Sequence, residues 1–271
     1  MKVKIIDTTL RDGEQRAGIA LSMEEKIKIA KLLDKMGVYQ IEAGIPAMGG
    51  EEKSSIKKIV KLGLKSKISA WNRINIGDII HSLDCGVELI HISVPSSDIQ
   101  IKYKLGKDRN WIIDYMKKCI AFAKNNGANV TIGLEDASRA DPQFIMRLVA
   151  NAFLEGVTRV RYADTVGILY RKKIYDEIRK IKSELNVDVE IHSHNDLGMA
   201  VANSVSAVMG GADFVDCTVA GIGERAGNCD LIEFIKAARF HLGTFEDVRI
   251  SQMLEIQKDI LKIIEHKSKA S

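Results

Sequence analysis

The residues with the clearest chemical content are His192 and His194, in the run His192-Ser193-His194-Asn195-Asp196. On a β-strand, residues two apart point to the same side, so both imidazoles can reach one ion. Imidazole nitrogen is a common ligand for divalent transition metals, and a carboxylate completes a facial set with positions left open. Asp12, in Asp7-Thr8-Thr9-Leu10-Arg11-Asp12-Gly13-Glu14-Gln15, is the best carboxylate candidate. A His-x-His pair alone can equally be two hydrogen-bonded histidines; the acidic clusters at other strand ends favour the metal.

Other polar residues carry two readings each. Arg11 is either a cation that binds a carboxylate through its planar fork or a structural ion pair with Asp7 or Glu42. Glu135 is either a general base, if burial raises its pKa, or a group that orients another. The Thr165 hydroxyl either meets a substrate carboxylate or stabilises a turn. The glycines between Gly221 and Gly227 either bring N–H groups to an anion or serve a tight loop. The basic stretch Lys102-Tyr103-Lys104-Leu105-Gly106-Lys107-Asp108-Arg109 is either a phosphate contact or a solvated loop. His91 reads as a satisfied core histidine, while His81, His241 and His266 have no supporting cluster.

These residues need a scaffold that gathers them, and the chain alternates short β-branched runs with amphipathic helices. Val3-Lys4-Ile5-Ile6-Asp7 opens as a strand, with no leader segment ahead of it. A helix follows from Ser22, where Ser22 and Glu25 form a capping box, and Gly37 stops it. Tyr39-Gln40-Ile41-Glu42-Ala43 is a second strand, and further strands begin near Lys67, Glu88, Asn129, Arg159, Asp188 and Asp213. Helices are expected over Glu51–Leu62, Ile76–Cys85, Trp111–Asn125, Asp141–Leu154, Lys172–Leu185, Asp196–Met209 and Asn228–His241. Such a series of strand–helix units closes into a (β/α)8 TIM barrel, a single α/β domain over residues 1–243, with a short helical extension over 244–271. In that fold, chemistry sits where strands end, which is where the polar clusters fall.

Composition agrees. A chain of 271 residues fits one large domain, and a net charge of +4 does not call for nucleic acid, while suiting acidic small molecules. Cys85, Cys119, Cys217 and Cys229 form no Cys-x-x-Cys pair and are expected as free thiols in a reducing cytoplasm. No apolar run approaches membrane-spanning length, so no membrane contact is expected.

The opening segment and His192-Ser193-His194-Asn195-Asp196-Leu197-Gly198 resemble two signatures of the DRE-TIM metallolyases. Gly221-x-Gly223-Glu224-Arg225-x-Gly227-Asn228 resembles a third, from the synthase branch that forms isopropylmalate, citramalate and homocitrate. Glu42 to Gly49, Glu135 to Asp141 and Ala163 to Gly167 look most like the homocitrate synthases of nitrogen fixation. The resemblance implies a divalent ion, with Mg, Mn, Zn and Fe not distinguished, on Asp12, His192, His194 and Asn228. It implies catalytic roles for Arg11 and Glu135 and substrate contacts for Gln15, Glu42 and Thr165. The reaction implied is condensation of acetyl-CoA with a 2-oxo dicarboxylic acid, 2-oxoglutarate, to homocitrate and CoA, in an oligomer.

One departure stands out. The synthases that this chain resembles continue past the barrel into subdomains that supply a histidine and a tyrosine, whereas this chain ends at Ser271, and His266 in a Lys-rich tail is a poor substitute. The expectation is one subunit of a split synthase, completed by a second polypeptide. Alternatives are isopropylmalate or citramalate formation, a hydroxyacyl-CoA lyase, and a non-catalytic partner subunit.

Overall fold

Eight short strands run parallel and close in chain order, β8 returning to β1. They are β1 (Lys4–Asp7), β2 (Gln40–Glu42), β3 (Lys67–Arg73), β4 (Leu89–Pro95), β5 (Asn129–Glu135), β6 (Arg159–Asp164), β7 (Asp188–Ser193) and β8 (Phe214–Cys217). Each leads to a helix on the outside: α1 (Met23–Met36), α2 (Gly50–Val60), α3 (Ile76–Cys85), α4 (Arg109–Asn125), α5 (Pro142–Leu154), α6 (Arg171–Glu184), α7 (Ala200–Gly210) and α8 (Leu231–Leu242). This is the expected TIM barrel. The computed structural model describes residues 3–268; Met1, Lys2 and the side chain of His266 lie outside the described residues. Among the described residues, no helix is long and apolar enough to cross a membrane, and all four cysteines are buried and free.

Local chemistry sets the helix ends. The Ser22 hydroxyl accepts the Glu25 N–H and the Glu25 carboxylate accepts the Ser22 N–H, the capping box read from the sequence, and Gly37 ends α1 at φ 80°. Helix α3 falls on the expected residues. Helices α7 and α8 start later than expected, at Ala200 and Leu231. The intervening stretches are loops docked on each other, with Asn195 N–H donating to Gly227 C=O, and Asp230 rather than Asn228 caps α8. The extension, α9 (Ile250–Ser268), lays Met253, Ile256, Ile260 and Ile264 at helical spacing against the body, contacting α1 and α8.

Strand register decides which side chains face which way. Partners Ile6↔Gln40, Ile6↔Asp216, Trp71↔His91, Gly133↔Arg161 and Arg161↔Glu190 share the inner face. Ile41, Ile90, Ile132, Val160, Ile191 and Val215 therefore point outward, and the apolar core lies between barrel and helices. The interior is charged instead of aliphatic. Arg161 donates to Glu42 at 2.7 Å, bonds Glu190, and pairs with Asp216 at 2.9 Å. Glu42 also accepts from Arg11 at 2.6 Å, and Arg159 pairs with Glu190 at 3.4 Å. Burial alone would neutralise these groups; the mutual charges keep Arg161 protonated and hold Glu42 well below the usual carboxylate range.

Removing the central cation takes from three buried carboxylates the charge they share and leaves each with one remaining partner. Arg161→Met is expected to cost about 3–5 kcal/mol, read from the denaturant midpoint, and an unchanged midpoint would contradict the role given to this lattice. A second test concerns Asp7, which accepts the Thr9 N–H and hydroxyl at 2.9 and 3.1 Å on the other side of β1. Burial, opposed by those bonds and assisted by Asp216, pushes its carboxyl from 3.8 up to about 7. A raised acid contributes most below its unfolded pKa, and that contribution is lost as pH rises through about 7. Stability of the wild type relative to Asp7→Asn should fall by roughly 2–4 kcal/mol between acid and mildly alkaline pH. A pH-independent difference would refute the assignment.

Candidate metal centre and active site

Closure of the barrel sets β1 beside β8 and β8 beside β7, so Asp12 meets His192 and His194 at the carboxyl ends of the strands. One ligand atom from each lies within 4.8 Å of the others, and all three residues are buried. The two imidazole Nε2 atoms face each other at 3.3 Å, and Asp12 Oδ2 stands 3.2 Å from the first and 3.9 Å from the second. Two ring nitrogens at that separation repel unless a cation or proton sits between them.

The electrostatics express the same demand. Burial opposes charge on His192, but hydrogen bonds to Asp12 and Asp216 raise it to about 9. Burial and then the His192 charge push His194 down to about 4. Burial also resists ionisation of Asp12, yet Arg11 and then His192 hold it well below its ordinary range. The pair of rings thus accommodates one positive charge. Asn228 adds to this set: its Nδ2 donates to Asp12 Oδ1 at 3.0 Å and to Ile222 C=O, while its buried Oδ1 has no hydrogen-bond partner among the described residues. An orphaned oxygen beside three ligand atoms fits a cation.

Asp216, which the sequence reading missed, sits under this centre and meets His192 Nδ1 at 3.1 Å. A carboxylate on the far nitrogen of a ligating histidine fixes its ring and raises its basicity. Asp216 and Arg161 had one available signal: charged residues inside strands, two apart from other polar inward positions, are out of place in an aliphatic barrel core.

Above the centre is a cavity of about 200 Å3, lined among others by Arg11, Asp12, Gln15, Glu135, Thr165 and both histidines. Arg11 resolves in favour of Glu42 rather than Asp7: its Nε and Nη1 donate to Glu42 and Asp12, its guanidinium lies 5.7 Å from the Trp71 ring centre, and its Nη2 makes no hydrogen bond among the described residues. Glu42 itself, expected at the substrate, is fully buried behind Arg11 and does not line the cavity. Glu135 accepts from Lys104 at 2.9 Å and from Ser93 at 3.4 Å. The Thr165 oxygen accepts the Asp136 N–H at 2.8 Å, leaving its own proton to donate. Gln15 ends a short turn of helix, Gly13–Gln15, and is exposed.

His91 is a buried core histidine bonded to Thr131 at 3.0 Å, but its ring also lines the cavity. Burial and then Arg161 lower its pKa to about 3, so it is neutral. Its ring occupies the space that a Cβ at Gly133 would need. Of the glycine loop, Gly223 and Gly227 allow close packing: a Cβ would collide with the Asn228 amide at the first and with Gly221 C=O at the second. The loop amides of Gly227 and Asn228 bond within the loop, so the tight-loop reading describes it better than an anion nest. Glu224, also missed, reaches the cavity from this loop. In the basic stretch, Lys104 and Arg109 are paired with acids, while Lys102 and Lys107 lie over the Tyr103 and Trp111 rings.

The comparisons with known proteins accord with this geometry. The HMGL-like family matches residues 2–260. The chain is 52% identical to the "Homocitrate synthase subunit alpha" of Clostridium pasteurianum, over 97% of this chain and 98% of that one. It is 48% identical to "2-isopropylmalate synthase 2" of Caldanaerobacter subterraneus over 88% of this chain, and 44% identical to "Homocitrate synthase 1" of Nostoc over 95%. It spans only 62% and 68% of those two longer proteins. The fold matches the crystal structure of the Bacillus subtilis HMG-CoA lyase with a TM-score of 0.84 at 18% identity, covering 97% of this chain and 94% of that one. A match over nearly the whole barrel, together with relatives of this similarity, means that the chain belongs to the HMGL-like, DRE-TIM family.

Proposed function

We propose that the chain is the catalytic barrel subunit of a two-chain synthase that condenses acetyl-CoA with 2-oxoglutarate and lets water hydrolyse the resulting thioester, giving homocitrate and free CoA. The observation that carries this reading is the convergence of Asp12, His192 and His194 beside Arg11, in a chain so similar to a protein named homocitrate synthase subunit alpha. Asp12, His192, His194 and Asn228 Oδ1 would hold a divalent ion, and this donor set does not choose between Mg, Mn, Zn and Fe. When bound, the ion supplies Lewis acidity to the oxygens of the keto acid.

The chain's own residues do the rest. Arg11 turns Nη2 toward the oxygen on which charge develops as the acetyl carbon adds to the ketone. Glu42 holds that guanidinium in place from behind. Thr165 donates its free proton to a substrate carboxylate, with Gln15 as a second neutral donor. The Glu135 carboxylate takes part in removing a proton from the acetyl methyl group. A cavity of about 200 Å3 suits a small keto acid but not coenzyme A, which lies across the rim, where Lys102 and Lys107 meet its phosphates.

A second subunit is supported by two observations. One is that the chain matches 98% of the length of a relative named as a subunit alpha. Met48, Ile99, Tyr103, Ile168, Tyr170 and Leu197, on the loops after β2, β4, β6 and β7, expose large apolar surface around the mouth, Met48 at 71% and Tyr103 at 78%. The lyase alternative is less favoured, because no cysteine lines the cavity and Cys229 is fully buried against Cys217. Isopropylmalate and citramalate formation differ from this reading only in the keto acid.

Calorimetric titration with Mn2+ or Zn2+ should show one site, abolished in Asp12→Ala and His192→Ala and weakened roughly 10- to 100-fold in Asp216→Asn. Wild-type affinity in Asp12→Ala would overturn the site. In a thiol-release assay with acetyl-CoA and 2-oxoglutarate, the completed enzyme should form homocitrate, with Arg11→Gln and Glu135→Gln lowering kcat roughly 100- to 1,000-fold. Full turnover by the isolated chain would end the two-chain reading, and product from other keto acids alone would end the choice of 2-oxoglutarate.

A further inference from the structure

The barrel has a second opening, at the amino-terminal ends of the strands, and it is not sealed by aliphatic side chains. A cavity of about 410 Å3 lies there, roughly twice the volume of the one above the metal centre. This end of a TIM barrel ordinarily serves stability alone, and its interior is usually filled by branched apolar residues. Here the inward position on β1 is Lys4, in register with Phe214, and that on β3 is Lys67, in register with Gln40. Lys67 and Arg159 of β6 line the cavity, while Lys4 stands beside it, over the Tyr39 and Phe214 rings that form part of its wall.

Three cations converge on two aromatic rings. Tyr39 and Phe214 pack with centroids 5.5 Å apart. Lys4 Nζ lies 4.7 Å from the first ring centre and 5.1 Å from the second, Lys67 Nζ lies 5.3 Å from Tyr39, and the Arg159 guanidinium lies 4.5 Å from Phe214. Among the described residues neither lysine pairs with a carboxylate. Arg159 is nearly buried, at 6% exposure, and is fixed by Gln40 at 2.7 Å and Glu190 at 3.4 Å. Glu88 and Asp188 also line the cavity, yet neither comes within ion-pair distance of these cations. Lys124, on the same wall, is engaged by the carbonyls of Glu155 and Gly156.

Like charges gathered around one aromatic pair repel, and ring faces only partly offset that. The arrangement is relieved by a counter-ion. The geometry combines a fixed, buried guanidinium with the flexible ammonium group of Lys67 in the cavity wall and that of Lys4 over the adjoining rings, a division of labour suited to anionic oxygens. The volume exceeds what a single inorganic ion needs and falls within the range of small-ligand sites.

We propose that the amino-terminal mouth is a binding site for a small polyanion, clasped by Lys4, Lys67 and Arg159 over the Tyr39–Phe214 pair. The shared chemistry is two or more anionic oxygen groups on a compact body, from either a phosphate compound or a polycarboxylate. The site is independent of the reaction at the other mouth.

The test is calorimetric titration of the full chain with pyrophosphate in one arm and tricarballylate in the other, at low ionic strength. One of them should bind saturably at one site, and added salt should weaken it. A Lys4→Gln/Lys67→Gln double variant should bind at least about tenfold more weakly; circular dichroism confirms its fold. Asp12→Ala should bind as the wild type does, because the anion does not touch the metal centre. The arm that responds identifies phosphate or carboxylate as the preferred group. No saturable binding of either compound would overturn the proposal. So would binding that the double variant retains unchanged, or binding that Asp12→Ala abolishes, since the anion would then sit at the opposite mouth.

Discussion

A single guanidinium deep in the barrel, Arg161, holds the three carboxylates Glu42, Glu190 and Asp216. Charges in so dry a place are costly to desolvate, and only close pairing with several partners offsets that. The arrangement persists because each partner has a second contact. Glu42 reaches on to Arg11, Asp216 reaches on to His192, and Glu190 reaches on to Arg159. The cation offered to the substrate and the imidazole offered to the metal are thus hung from the same group. A shift of Arg161 would move both, which is why an interior that could have been aliphatic is charged.

The metal centre is preorganised by this lattice rather than by its own contacts. His192 is pinned between Asp12 and Asp216, and His194 stays neutral beside it. Asn228 arrives from a loop that folds back on itself so closely that side chains at Gly223 and Gly227 would collide with it. At Gly133 the missing side chain makes room for the His91 ring below the cavity. Groups held by packing and hydrogen bonds before substrate arrives need little reorganisation during reaction.

The two ends of the barrel differ in kind. At the carboxyl ends, acids, imidazoles and Arg11 surround a small cavity, and the loops around it present apolar side chains outward. At the amino ends, lysines and Arg159 surround a wider one with an aromatic wall. The ion-pair chain from Arg159 through Glu190 to Arg161 joins these ends through the middle of the sheet. The outer face of the barrel sheet, packed against the helices, holds the conventional core, so the scaffold's stability comes mainly from strand–helix packing and leaves the inner face available for polar groups.

Much of this could be read from the order of residues. The alternation of strands and helices, the Ser22–Glu25 cap, the limits of α3, and the pairing of His192 with His194 are local features, set by periodicities of 2 and 3.6 and by hydrogen bonds a few residues long. That Asp12 joins the histidines followed from closure, since the first and last strands of a barrel must meet. Which of two partners Arg11 takes, that Glu42 is buried behind it, and that Asp216 and Arg161 stand beneath the metal centre were not legible, because those contacts join residues up to 119 positions apart across the barrel. A charged residue inside a strand looks the same whether it faces solvent or the axis. Only the register of eight strands, and the volume left at the axis when they close, decides between the two.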